Sequence, residues 1–275
     1  DFLAAQIVGN FKDQDKIREL AQRADVVTYE IELAGSRVLE ELEAEGKPVH
    51  PDPETLTTIQ DKYIQACFLE AHKIPVPNFM RVGDSADFAR AMSMFGLPLM
   101  VKARRDSYDG QGNYILRRPD QVDDVLQHFA ARELMIQRYI PFDTEVSVIA
   151  ARNTHGEICT YPVAENIHGR DYTILTTTIV PARVNPEVEL KAQAIAATVM
   201  QAFKGAGVFG IEMLVHGDDV FVNEIAPRVH NSGHYSIEAC EISQFEQHLL
   251  AITGQPLRGG ASVPAVMHNI IGLPE

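Results

Sequence analysis

Basic residues are scarce in this chain: 24 Lys and Arg stand against 38 Asp and Glu, a formal net charge of −14 over 275 residues. That deficit argues against a general nucleic-acid surface, which needs positive charge to release counterions from phosphates. It leaves room for a small anion held by a few local cations. Cysteine is sparse as well. Cys67, Cys159 and Cys240 lie far apart with no C-x-x-C spacing, which fits a reducing, cytoplasmic setting and argues against a disulfide framework or a structural zinc site. No apolar run reaches the ~18 residues of a membrane span, so neither a membrane nor a nucleic acid is an expected partner. Two phosphate-binding signatures are also missing, G-x-x-x-x-G-K-[ST] and G-x-G-x-x-G.

What is present is ordinary globular composition, 45% hydrophobic and 23% charged, in a chain long enough for two or three subdomains. The first apolar stretch starts mid-pattern after Asp1, and the close, "VMHNIIGLPE", has no terminal helix. The expectation is therefore a piece of a longer protein, truncated at both ends.

Periodicity predicts a helix over 13–24, a strand over 25–32, a helix over 35–46, a proline-rich loop, and one long helix over 55–74. The texture changes at "PVPNFMRV". From there a strand, a helix, two strands around a loop at 104–112, a helix over 119–129 and a strand over 133–139 make a small α+β module. The remainder is strand-rich, with strands in "TEVSVIAAR", "ICTYPVAEN" and "ILTTTIVPAR", a helix over 186–204, the pair "VFGIEMLV" and "DVFVNEIA", and a helix in "SQFEQHLLAITG".

Three stretches carry chemistry. If the pair of strands is a hairpin with a three-residue loop, Gly217–Asp219, then Glu212 lies opposite Glu224 on one face. Like charges facing each other weaken a ladder unless a cation lies between them. A Mg²⁺ shared with phosphate oxygens resolves that conflict; the alternative is two acids on a wet sheet face. A second stretch, "VKARRDSYDGQGNY", puts Lys102 at a strand end before a glycine-containing loop, suited to phosphates or to an ordinary hairpin. In the third, "NEIAPRVHNSGH", Arg228 can clamp an anion in bidentate fashion. His230, Asn231, Ser232 and His234 add further hydrogen-bonding groups, and a loop held by its own polar groups is the alternative.

With these residues assembled, the chain resembles the ATP-grasp enzymes, and within them it is similar to the N5-carboxyaminoimidazole ribonucleotide synthases. The matching runs are "DVVTYEIE", "HPDPETLTTIQDKY", "VKARRDSYDGQGN", "TEVSVIAAR", "YPVAENIH", "GIEM" and "NEIAPRVHNSGHYSIEACEISQFEQHL". The resemblance implies an α/β (α+β) ATP-grasp fold. The end of a Rossmann-like domain would occupy 1–73, a lid subdomain 74–133, and a larger catalytic subdomain 134–275. The expected activity is ATP-dependent carboxylation of 5-aminoimidazole ribonucleotide with bicarbonate, in a homodimer.

Carried onto matching positions, the resemblance implies that ATP and Mg²⁺ are the cofactors. Lys62 and Lys102 would touch ATP phosphates, under a flap of Ser107, Tyr108, Asp109, Gly110, Gln111, Gly112 and Asn113. Tyr108 and Asp109 would also lie near the aminoimidazole. Gln137, Arg138, Tyr139 and Ile140 would form the adenine hinge, Glu145 would hold the ribose, and His168 and Asn223 would border the nucleotide. Glu212 and Glu224 would ligate the metal. Arg228, His230 and Asn231, with Ser232 and His234, would receive bicarbonate and the ribonucleotide. Two positions depart from the family pattern: Ser107 stands where Gly is usual, and Gln137 where Glu is usual. Two other readings stay open, an ATP-grasp ligase with a different acceptor and a nucleotide-binding module without turnover.

Overall fold

A computed structural model of the chain describes residues 5–106, 112–130, 132–169 and 174–270. Two antiparallel sheets face each other. The smaller contains β1 (Phe79–Val82), β2 (Leu99–Ala103), β3 (Asn113–Leu116) and β4 (Leu134–Arg138) in the order β1-β4-β2-β3. Helices α5 (Ala86–Phe95) and α6 (Val122–Phe129) flank its strands in sequence, and Phe88, Phe129, Leu99 and Leu116 fill the core between helices and sheet.

The larger sheet contains β5 (Thr144–Arg152), β6 (Ile158–Thr160), β7 (Ala164–His168), β8 (Leu175–Val180), β9 (Gly207–His216), β10 (Asp219–Ala226) and β11 (Ala265–His268). Its order is β10-β9-β5-β7-β8-β11, with β6 paired to β5. Period-2 alternation decides its two faces. Val146, Val148, Ile211 and Met213 share a core with Val188, Ala192 and Val199 of α7 (Pro186–Ala202). On the opposite face Ile149, Ala151 and Val208 pack with Ile242 and Leu250, the latter in α9 (Gln244–Ile252). Beyond α9 that second face is lined by polar residues. A short helix, α8 (Ser236–Ala239), precedes α9.

The N-terminal portion has its own apolar cluster, built by Ala21 of α1 (Gln14–Gln22), Val38 and Leu39 of α2 (Ser36–Ala44) and Leu56 of α3 (Pro53–Ile59). Among the described residues no helix is long and apolar enough to cross a membrane.

Several elements differ from the sequence expectation. Residues 25–32 form no strand; Val27 makes one isolated parallel bridge to Val49. The long helix over 55–74 is two helices, α3 and α4 (Lys62–Ala71), because Asp61 turns out of helical geometry. Its carboxylate accepts from the backbone N–H groups of Tyr63 and Ile64, an N-cap that starts a new helix. Leu69, expected with the first segment, and Ile74, expected at the start of the lid, pack in the core of the larger sheet. "ICTYPVAEN" splits into β6 and β7, and β11 was not anticipated.

Candidate active site

The β9–β10 hairpin has a two-residue loop, Gly217–Asp218, rather than three. Straight pairing from such a loop would set Glu212 against Asn223. Instead the ladder skips Asn223, a β-bulge, and Glu224 falls opposite Glu212 after all. The driving force is visible in the apolar pattern. Val220, Val222 and Ile225 all lie in the α7-side core, and the three-residue step from Val222 to Ile225 cannot be met without one extra residue.

The polar face thus carries a row across the sheet: Glu224 opposite Glu212, and Glu212 opposite Ser147. Glu145, two residues from Ser147 and on the same face, completes a set of three carboxylates. Its Oε1 accepts from His168 Nε2 at 2.9 Å and Asn166 Nδ2 at 3.3 Å. Burial, then the nearby charges of Glu145 and Glu224, push the Glu212 carboxyl well above its ordinary range. For Glu224 burial acts in the same direction. The charge and hydrogen bond of Lys62, with Lys102 and His230, more than offset it and hold Glu224 low. Its side chain retains 47% of its surface, so Glu224 opens into a cleft rather than the core.

Two lysines reach this row from elsewhere. Lys62, first residue of α4, places Nζ 2.8 Å from Glu224 Oε1. Lys102 on β2 donates to Asn223 Oδ1 at 3.0 Å. Burial, and then the charge of Lys62, pull the Lys102 ammonium down to about 8. The bulge therefore does two things: it aligns Glu224 with Glu212, and it offers Asn223 to the lysine of the other sheet. Between the sheets, beside Lys62 and Lys102, runs a cleft also lined by Gln65, Met135, Gln137 and Val222.

The loop after β10 folds back over the same face. A Cβ on Gly210 would fall 2.5 Å from His230 Cβ, so only glycine lets the imidazole lie this close to the strand. His230 Nε2 sits 3.5 Å from Glu212 Oε1, while Nδ1 accepts from the Ser232 N–H at 3.3 Å and lies 2.9 Å from Ser232 Oγ. Burial, then the Arg228 charge, lowers the His230 imidazole to about 4. Arg228 pairs with Glu32 at 2.8 Å and donates to the Val229 carbonyl, and its buried Nε has no partner among the described residues.

Placement of the other expected residues varies. Ser232, expected to receive an anion, is fully buried and bound to His230, so it supports the imidazole instead. His234 joins the same scaffold, its Nδ1 at 3.1 Å from Gln244 Nε2. Asn231 Oδ1 accepts from Asn269 at 3.0 Å. Gln137 and Ile140 are buried and Arg138 is exposed, around the strand end of β4 with Tyr139 between. Asn113 is exposed on β3 and Gly112 is buried beside it, its carbonyl accepting from Ala103 N–H. Ser107, Tyr108, Asp109, Gly110 and Gln111 lie outside the described residues.

Sequence reasoning missed Glu32, Asp61 and Gln244. The Gln244 amide accepts from the His230 N–H at 2.9 Å and donates to its carbonyl at 2.7 Å, a side-chain copy of a strand pair. A polar residue inside the apolar face of α9 was the available signal. Among the described residues no group of three or more His, Cys, Asp or Glu is arranged to hold a metal by itself. Two facing carboxylates do suit Mg²⁺, which keeps most of its coordination for water and phosphate oxygens.

The sequence matches the ATP-grasp domain over residues 67–245 and the ribonucleotide synthetase preATP-grasp domain over 2–60. It is 40% identical over 275 residues to the phosphoribosylaminoimidazole carboxylase of Ogataea methanolica, covering 97% of this chain and 50% of that protein. To the N5-carboxyaminoimidazole ribonucleotide synthase of Staphylococcus aureus it is 34% identical, covering 97% of this chain and 71% of the relative. A crystal structure of the Aspergillus clavatus N5-carboxyaminoimidazole synthase with ADP and 5-aminoimidazole ribonucleotide superimposes with a TM-score of 0.92 at 33% identity, covering 100% of this chain and 72% of the other. The chain thus spans about half the length of the first of these relatives.

Proposed function

The chain belongs to the ATP-grasp family, among the N5-carboxyaminoimidazole ribonucleotide synthases, and from that premise we propose that it takes part in the ATP-dependent carboxylation of 5-aminoimidazole ribonucleotide. The observation that carries this reading is the convergence of Lys62, Lys102, Glu212 and Glu224 on one strand pair between the two sheets. ATP lies in that cleft, its base toward Gln137 to Ile140, its ribose toward Glu145 and His168, and its phosphates toward the two lysines.

A bicarbonate oxygen attacks the γ-phosphorus, the bond to the ADP oxygen breaks, and carboxyphosphate forms. The exocyclic amine of the ribonucleotide then attacks the carboxyl carbon; phosphate leaves and the amine loses a proton. Lys62 and Lys102 offset charge on the phosphates, the recurrent task in phosphoryl transfer. Glu212 and Glu224 would hold Mg²⁺, which when bound supplies further charge neutralisation at the transferred group. Arg228 and His230, with Asn231 and His234, orient the bicarbonate-derived anion. His230 enters as a neutral imidazole, with Nε2–H directed at Glu212 by the Ser232 N–H on Nδ1. Assembly as a homodimer is part of the same reading, tested by sedimentation of the purified chain.

Incubation with Mg-ATP, bicarbonate and the aminoimidazole ribonucleotide should release ADP and phosphate in proportion to carboxylated product. ADP release stimulated by another amine and not by this one would make the acceptor wrong. Nucleotide binding with no turnover would leave a binding module.

A further inference from the structure

Among the described residues, the most enclosed charged group takes no part in the chemistry above. Asp61 is fully buried, in the break between α3 and α4. Its two oxygens accept from the Arg104 side chain, Oδ1 from Nε at 3.0 Å and Oδ2 from Nη2 at 2.5 Å. Arg105 Nε adds a bond to Oδ2 at 3.1 Å, and Oδ1 also caps α4 through the Tyr63 N–H at 3.0 Å. Burial raises the Asp61 carboxyl, but the Arg104 hydrogen bonds and the capped helix prevail and hold it below its ordinary value.

The neighbours of this pair in sequence matter. Lys62 follows Asp61 directly, and Lys102 precedes Arg104 by two residues on β2. The Lys62 N–H donates to the Arg104 carbonyl at 2.9 Å, so backbone and side chain tie the two segments together. From these roots the ammonium groups reach consecutive residues of β10, Glu224 and Asn223. Arg104 is itself braced, with its guanidinium carbon 5.3 Å from the Tyr63 ring centroid and Nη1 at 3.1 Å from Glu133 Oε1.

We propose that Asp61 and Arg104 are positioning residues that fix the spacing of the two phosphate-binding lysines, α4 carrying one and β2 the other. The inference rests on the nucleotide reading above. Its physical basis is that a bidentate carboxylate–guanidinium pair defines distance and angle together, whereas a long, separately rooted lysine defines neither. Two ammonium groups repel, and their approach to one polyphosphate needs a rigid base. The pair supplies it without touching the ligand.

The test is a double-mutant cycle read as Mg-ATP affinity by calorimetry. Asp61→Asn keeps the helix cap through its amide oxygen and loses the charged fork. We expect it to weaken Mg-ATP binding by about tenfold, 1.4 kcal/mol. In a Lys62→Ala background, where one lysine is already gone, the same change should cost less than about twofold. Additive penalties would mean that Asp61 acts on the fold at large and would overturn the proposal. So would unchanged affinity in Asp61→Asn. If thermal unfolding shows that Asp61→Asn does not fold, the cycle is run with Arg104→Lys, which keeps the charge and removes the fork, and the same two outcomes decide. A wild-type chain that binds no Mg-ATP would instead remove the nucleotide reading on which the proposal stands.

Discussion

Glu212 and Glu224 face each other across the β9–β10 ladder because Asn223, between Val222 and Glu224, is bulged out of register. One extra residue turns an alternation that would have split the two acids into one that sets them opposite each other. The same residue gives Lys102 its acceptor.

The repulsion built into that arrangement makes Glu212→Gln informative. Burial and the flanking carboxylates raise the Glu212 carboxyl. A raised acid contributes stability at low pH and loses it as pH climbs through its folded value. The Gln variant should therefore be more stable than the wild type in denaturant titrations at pH 8 without metal, by about 1 kcal/mol, the scale of a like-charge cross-strand pair. Its ATP-dependent turnover should fall by about 100-fold or more. A loss of stability together with full turnover would refute metal ligation by Glu212.

Lys102 predicts the opposite slope. Its folded value lies at about 8, below the ordinary 10.5. Between those values the unfolded chain binds the extra proton, so stability rises with pH across that window. Lys102→Met should stabilise the ligand-free protein at pH 7, and the advantage should fade toward pH 10.5. Denaturant titrations at several pH values measure it. Mg-ATP affinity in the wild type should decline above pH 8, and Lys102→Met should flatten that decline.

Two buried histidines set the acid limit. His230 and His248 are each lowered from 6.5 to about 4, with burial the leading cause. His248 is held by the Val208 N–H on Nδ1 and by Thr28 Oγ1 at 2.8 Å from Nε2, which joins α9 to the N-terminal segment. Because the unfolded imidazoles protonate first, stability should fall as pH drops from 6.5 to 4. His248→Gln should reduce that slope. Ring ¹⁵N shifts should show His230 neutral at pH 6, with the proton on Nε2.

Gln244→Leu should detach the His230 segment. The change leaves the His230 N–H and carbonyl without their buried partners, at a cost of about 2–3 kcal/mol. Gln244→Glu keeps an acceptor for the N–H and loses the donors, so it should rank between. Chemical denaturation of the three proteins checks the order.

Much of the site was legible because its residues sit in short runs of fixed local geometry. "NEIAPRVHNSGH" puts the acid, the guanidinium and the imidazoles on one strand end and the loop that follows it. The bulge was missed, because the hairpin was read with a three-residue loop and straight pairing; the signal for it was the step from Val222 to Ile225, which breaks a period of two. The partners of Arg228 and Lys102 were not legible. Glu32 lies 196 positions before Arg228 and Asn223 lies 121 after Lys102, separations over which no periodicity operates.

The two-sheet architecture was an implication of the family resemblance, whereas composition and alternation by themselves determined which strand faces would be apolar and which short stretches would carry charge into a polar setting. Those are local consequences of side-chain transfer from water and of backbone period. Only the tertiary structure decided that Asp61 would break a helix to grip Arg104, that Ser232 would turn inward to His230, and that two lysines from separate elements would meet one bulged strand. Each of these depends on a buried polar group finding its partner across space, and a one-dimensional pattern does not encode that pairing.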